Sequence, residues 1–225
     1  MKRSVIRQLI VKDLWLHSPV IVLSLAGGAI AMAILLLGGE MPTVLGCVFF
    51  FLALCFLACL LPMSNIVNER KKQNLPFLMS LPITSIDYAT AKLVSTVGMF
   101  LAPWLTLIIA AVVLIAVRHV LPLGIIPHLF MIASLPFVGF CLITGAAIVG
   151  ESEAWSTAAL AIVNSSYWLV WYLLSARFPD LIRNWNSKVP VWNPAVLTML
   201  GGEFGLVVLV LALTYYLQSR KRSFV

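Results

Sequence analysis

The stretch VLGCVFFFLALCFLACLLPMSNI, residues 44–66, contains no charged side chain. It is long enough to cross the hydrocarbon of a bilayer, which takes ~20 apolar residues in a helix at 1.5 Å per residue. A buried helix of a water-soluble domain of this size rarely stays uncharged for so long. Working outward, runs of similar character recur at 19–37, 89–117, 123–149, 154–176 and 196–217. The sequence therefore predicts six transmembrane helices in an all-α, polytopic membrane protein.

Composition agrees. Of 225 residues, 62% are hydrophobic and 10% are charged, and the mean hydropathy is +1.05. Soluble domains carry roughly 25% charged residues, so lipid is the solvent that fits. The net charge of +7 is spread between the apolar runs, not along one soluble face, which argues against a nucleic-acid partner. Cys47, Cys55, Cys59 and Cys141 all fall inside apolar runs. They read as packing residues, with no CxxC and no disulfide framework.

The first run follows a basic start, and Ala31-Met32-Ala33 mimics a cleavage site. Apolar residues continue past it to a full spanning length, so it reads as an uncleaved anchor. Residues 1–15 carry Val5, Ile6, Leu9, Ile10 and Leu14 at helical spacing, with Lys2, Arg3 and Arg7 elsewhere on the wheel. That pattern is expected of an amphipathic helix on the inner leaflet; a plain topology signal is the alternative. Six spans put both termini on one side. With the termini inside, Lys2, Arg3, Arg7, Lys12, Arg70, Lys71, Lys72, Lys92, Arg220, Lys221 and Arg222 are cytoplasmic. Arg118, Arg177, Arg183 and Lys188 are then external, and the asymmetry fixes the orientation. Two connections are long, an inner one at 67–88 and an outer one at 177–194, where a short interfacial helix is expected.

The chain has no GxxxxGK[ST] phosphate loop, no HExxH, no GxSxG and no acidic metal cluster. His17, His119 and His128 are scattered near span boundaries. Nothing here points to an enzyme, a metal or a cofactor bound by this chain, and any energised work needs another subunit.

The inner connection reads NERKKQNLPFLMSLPITSIDY, residues 68–88. It starts charged, turns apolar, and breaks at Leu81-Pro82, where proline disfavours a preceding helical residue. A short amphipathic helix over 75–80 is expected, with Phe77, Leu78, Met79 and Leu81 needing a partner surface. Glu69-Arg70, then Leu78-Met79-Ser80-Leu81-Pro82-Ile83-Thr84, then Ala91-Lys92-Leu93 resembles the second-to-third helix loop of ABC-2 type permeases. These are the membrane subunits of ATP-binding-cassette exporters. The likeness covers about 25 residues and departs from the family pattern at Gln73-Asn74, where Gly-Thr is usual, and at Pro76.

The resemblance implies an ABC-2 (type V exporter-like) fold in a bacterial-type inner or cell membrane. It implies that residues 67–88 hold a coupling helix docked on an ATPase subunit, two copies of which bind ATP and Mg. Glu69, Arg70, Lys71, Leu78, Leu81 and Pro82 are the coupling residues. The membrane partner is a second permease copy or a paralogue, and the cargo is hydrophobic or amphipathic. The resemblance also favours the second and fifth spans as walls of the path between protomers, so that Asn164, Ser165, Trp168 and Tyr172 line it. Interhelical hydrogen bonding with an outer aromatic belt is the alternative for that cluster. Glu203 is expected near the outer interface. The rival function is a relative that serves an assembly complex, such as the haem pathway of cytochrome c maturation, without pumping a free solute.

Overall fold

A computed structural model describes residues 2–68, 85–150, 152–177 and 184–220 of the chain. Every regular element among them is helical. Helix α1 is Lys2–Leu36 and α2 is Glu40–Pro62, which continues into a π-helical turn, Met63–Val67. Helix α3 is Ser85–Arg118. A 3₁₀ turn, Leu123–Ile125, leads into α4, Ile126–Val149. Helix α5 is Glu153–Arg177 and α6 is Pro194–Arg220.

Five segments among the described residues are long and apolar enough to cross a membrane: Val11–Leu36, Glu40–Val67, Thr90–Arg118, Leu123–Val149 and Pro194–Arg220. The chain is thus a multi-pass helical membrane protein. The span expected at 123–149 falls on Leu123–Val149. The remaining long helix, α5, is interrupted by the polar run Asn164-Ser165-Ser166-Tyr167.

Two local features differ from expectation. No break separates residues 2–15 from the first span, because α1 runs unbroken through Pro19. Pro103 and Pro136 likewise sit inside continuous helices, whereas Pro62 marks the switch from α to π geometry. A proline removes one backbone donor, and the wider turn that follows Pro62 closes with Asn68 N–H on the Met63 carbonyl.

The tight turn between α1 and α2 depends on Gly38 and Gly39, at φ 69° and 89°. Side chains at such angles clash with their own backbone, so glycine is required. Consecutive long helices then run antiparallel. One end of the bundle, the turn end, gathers Gly38-Gly39, residues 119–122 and segment 184–193. The opposite end, the loop end, holds the flanks of 69–84. At the turn end Gly124 N–H donates to the Ser187 carbonyl at 3.0 Å, pinning the 184–193 segment to the start of α4.

Helix α4 is the axis of the bundle. In its span 67% of residues are buried, against 11% in the span of α6, which packs chiefly on α4. The core centres on Phe100 and Phe140, stacked at 4.3 Å, with Phe137 and Trp104 beside them. The Trp104 indole N–H donates to the Ala133 carbonyl at 2.8 Å, which satisfies its one polar atom inside the apolar centre. Leu54, Leu57 and Leu61 complete the packing from α2.

Candidate functional site

Charged groups inside spans are expensive and so mark places of interest. At the loop end three helices bring such groups together. Asp13 of α1, Asn65 of the π turn and Lys92 of α3 each lie three residues from the end of their span. All three are buried, at 2%, 1% and 4% exposure. The Lys92 ammonium donates to Asp13 Oδ2 at 2.9 Å, to Asn65 Oδ1 at 2.9 Å and to the Asn65 carbonyl at 3.3 Å. Three donors thus meet three acceptors. Ser95 Oγ adds a hydrogen bond to Asp13 Oδ2 at 3.1 Å, and Asn65 Nδ2 donates to Thr96 Oγ1 at 2.7 Å. Asp13 Oδ1 accepts no hydrogen bond, and the half-exposed Lys12 ammonium stands 3.8 Å from it.

The local backbone explains why Asn65 takes part twice. In the π turn the ladder is one residue wider than in an α-helix. The Asn65 carbonyl and its side-chain oxygen both reach the same ammonium. A buried ion pair holds only when further hydrogen bonds offset the desolvation of both partners, and Asn65, Ser95 and Thr96 supply them. The cluster joins residues just before and just after the 69–84 segment and fastens both to α1.

A second polar contact lies deeper. The Glu203 carboxylate on α6 accepts a hydrogen bond from Ser134 Oγ on α4, whose hydroxyl also lies 2.9 Å from the Met131 carbonyl. Glu203 is nine residues into α6, about 14 Å from its first residue at 1.5 Å per residue. It faces the bundle, partly buried, and does not stand free at the rim.

At the turn end a cavity of about 490 Å³ opens between α2, α3 and α4. Its walls are hydrocarbon, with Thr43, Trp185 and Asn186 as polar groups at one end and Leu54, Ala111 and Ala133 at the other. Burial along α2 explains its shape. Val44 and Val48 are 58% and 48% exposed, whereas Leu54 and Leu57 are fully enclosed. Small residues on α3 and α4 leave the space unfilled beside the less buried half of α2. At ~24 cal/mol per Å³ of unfilled cavity, an empty void of this size costs on the order of 10 kcal/mol.

The residues expected to act fall as follows. Glu69, Arg70, Lys71, Leu78, Leu81 and Pro82 lie outside the described residues. Asn164, Ser165, Trp168 and Tyr172 share one side of α5, but that side is the perimeter of the chain, with Trp168 at 79% and Tyr172 at 67% exposure. Asn164 Nδ2 donates back to the Leu160 carbonyl at 2.8 Å and approaches Cys59 Sγ of α2 at 3.9 Å. The chain encloses none of the four. Tyr167, one residue away, turns inward instead, edge-on to Phe51 at 5.7 Å with its hydroxyl against Gly139.

No group of three His, Cys, Asp or Glu placed to hold a metal ion occurs among the described residues. The four cysteines are free thiols. Sequence reasoning singled out Asp13 and Lys92 separately but did not pair them. The available signal was that each is a lone charge just inside an otherwise uncharged span.

Fold and polar sites define a multi-pass helical membrane protein with a buried charged knot at one end and an apolar cavity at the other. No family model, curated protein or solved structure matches the chain.

Proposed function

We propose that the chain is the six-span permease subunit of an ATP-binding-cassette exporter of the ABC-2 type, with α5 as the sixth span and both termini cytoplasmic. Two separate ATPase subunits bind ATP and Mg, and a second permease copy or paralogue completes the membrane part. The cargo is hydrophobic or amphipathic.

The observation that carries this reading is the knot of Asp13, Asn65 and Lys92. A loop that receives force from a partner needs its two ends held at a fixed spacing and joined to the helices that must move. Asn65 and Lys92 flank the 69–84 segment and are hydrogen-bonded to each other, and Lys92 is ion-paired to α1. A loop that merely connects two spans has no need of this, and the charges cost stability there. The perimeter of α5 adds support. Asn164 and Ser165 are exposed beside Trp168 and Tyr172. Lipid offers side chains no hydrogen bonds, so these groups are best served by a neighbouring protomer or a path containing polar cargo.

The test is affinity purification of the intact chain from its native membrane. An ATPase subunit should copurify, and replacing Leu81 and Pro82 should abolish substrate-stimulated ATP hydrolysis while membrane insertion is unchanged. Absence of any ATPase, or coupling that survives both substitutions, rejects the reading.

A further inference from the structure

We propose that the cavity at the turn end is a binding site for one acyl chain of a phospholipid, with the phosphate headgroup held at its rim. This rests on the membrane-spanning character of the chain and not on the transport reading.

The first argument is shape. The cavity follows α2 from Thr43 to Leu54, eleven residues, or about 16 Å at 1.5 Å per residue. It is therefore a bore, deep along the helix axis. Its volume of about 490 Å³ falls within the roughly 300–1,000 Å³ of pockets that take small molecules.

The second argument is polarity and its direction. The deep end, at Leu54, Ala111 and Ala133, has no polar side chain. Water does not settle in so apolar a space, because it needs two to four polar partners. Hydrocarbon is the medium beside this wall. Polar side chains appear at the other end, in Thr43, Trp185 and Asn186. An occupant that matches both ends has a long apolar tail and a polar head.

The third argument is charge. Arg118 stands three residues from Ile115 and three from Leu121, both of which line the bore, and Lys188 is two residues from Asn186. Both cations are exposed, at the end of the bundle where the rim lies. A phosphate headgroup complements them, whereas a neutral head does not. The bore lies within one chain, on the α3 and α4 side of α2, so it is separate from the exposed row of Trp168 and Tyr172 on α5.

The experiment uses the full chain in vesicles containing a phosphatidylglycerol with a photoactivatable diazirine, placed at the tail end in one probe and near the ester in another. Adducts are mapped by peptide mass spectrometry. The tail-end probe should label Leu54 and Ala133 more heavily than the exposed positions Val208 and Leu209 of α6, and the near-ester probe should label residues 121–125. Ala133→Phe fills the deep end and should cut deep labelling at least about fivefold, as a chain loses its apolar contact there, with α6 labelling unchanged. If Ala133→Phe does not fold, Val48→Trp at the exposed wall makes the same test. Deep labelling no greater than that of α6, or unaffected by a filling variant that folds, overturns the proposal. Equal labelling by a diacylglycerol probe overturns the part assigned to the headgroup. Deep adducts formed with a neighbouring chain, in place of lipid, overturn it in favour of a second copy.

Discussion

Replacing Lys92 with methionine removes an ammonium that makes three polar contacts while keeping most of the side chain's apolar volume. Asp13 then keeps Ser95 at 3.1 Å as its remaining hydrogen-bond donor and stays buried as an anion. Breaking one side of a buried ion pair costs about 3–5 kcal/mol. At 1.4 kcal/mol per factor of ten, this lowers the folding equilibrium constant by roughly 10² to 10³-fold. If the contact acted as an ordinary interhelical hydrogen bond in a membrane, the loss would average only about 0.6 kcal/mol. The two magnitudes are well separated. Asp13→Asn alone should cost nearly as much as Lys92→Met, because it leaves the ammonium without its counter-ion. The double variant removes both charges and should cost far less than the sum of the two, with a coupling of about 3 kcal/mol. The assay is reversible unfolding in mixed micelles followed by tryptophan fluorescence, with all four proteins of the cycle compared. Singles that lose under about 1 kcal/mol each, or a double that equals their sum to within ~0.5 kcal/mol, would show that Asp13 and Lys92 do not act as a pair.

Other perturbations probe other contacts. A methyl added at Gly46 would lie 2.6 Å from Leu35 Cγ and 3.1 Å from the Ala31 carbonyl. Gly46→Ala should therefore push α1 from α2 and cost about 1–3 kcal/mol in the same unfolding assay; a neutral result would show that the two helices are not in close contact there. Ser134→Ala takes the hydroxyl donor from Glu203 and should destabilise by about 1–3 kcal/mol, read as a lower unfolding midpoint, whereas an unchanged midpoint would mean that the carboxylate does not depend on Ser134. For orientation, a cysteine at Ser187 in a background free of the native thiols should react with an impermeant maleimide added outside intact cells. One at Gln73 should react only after permeabilisation, and the reverse pattern would invert the proposed topology.

The spans were legible because lipid imposes a crude and unforgiving rule, about 20 apolar residues per crossing. Helix α5 satisfies the rule least well, since Asn164, Ser165, Ser166 and Tyr167 interrupt it. Composition registered those residues but not their direction: Tyr167 turns inward against Gly139 while Asn164 and Ser165 face out. A twist of one residue, 100°, separates the two fates. The knot was not legible because Asp13 and Lys92 are 79 residues apart and no periodicity links them. The continuity of α1 was hidden for another reason. The helical pattern of residues 1–15 and the apolar run after Pro19 have the same local geometry, and only the solvent around them differs. The cavity had no sequence signal either, since Ala111 and Ala133 look like any other small packing residues until the helices around them are placed.

The π turn over Met63–Val67 carries a consequence for insertions and deletions. Removing one residue from it would restore a regular helix, with every backbone bond remade. All that follows would then rotate by about 100° and shift by 1.5 Å. Asn65 would swing away from Lys92 and Thr96, and the entry angle of the 69–84 segment would change with it. Length at this point is therefore constrained more tightly than residue identity. A single-codon deletion here should be harder to tolerate than most substitutions among the same five residues.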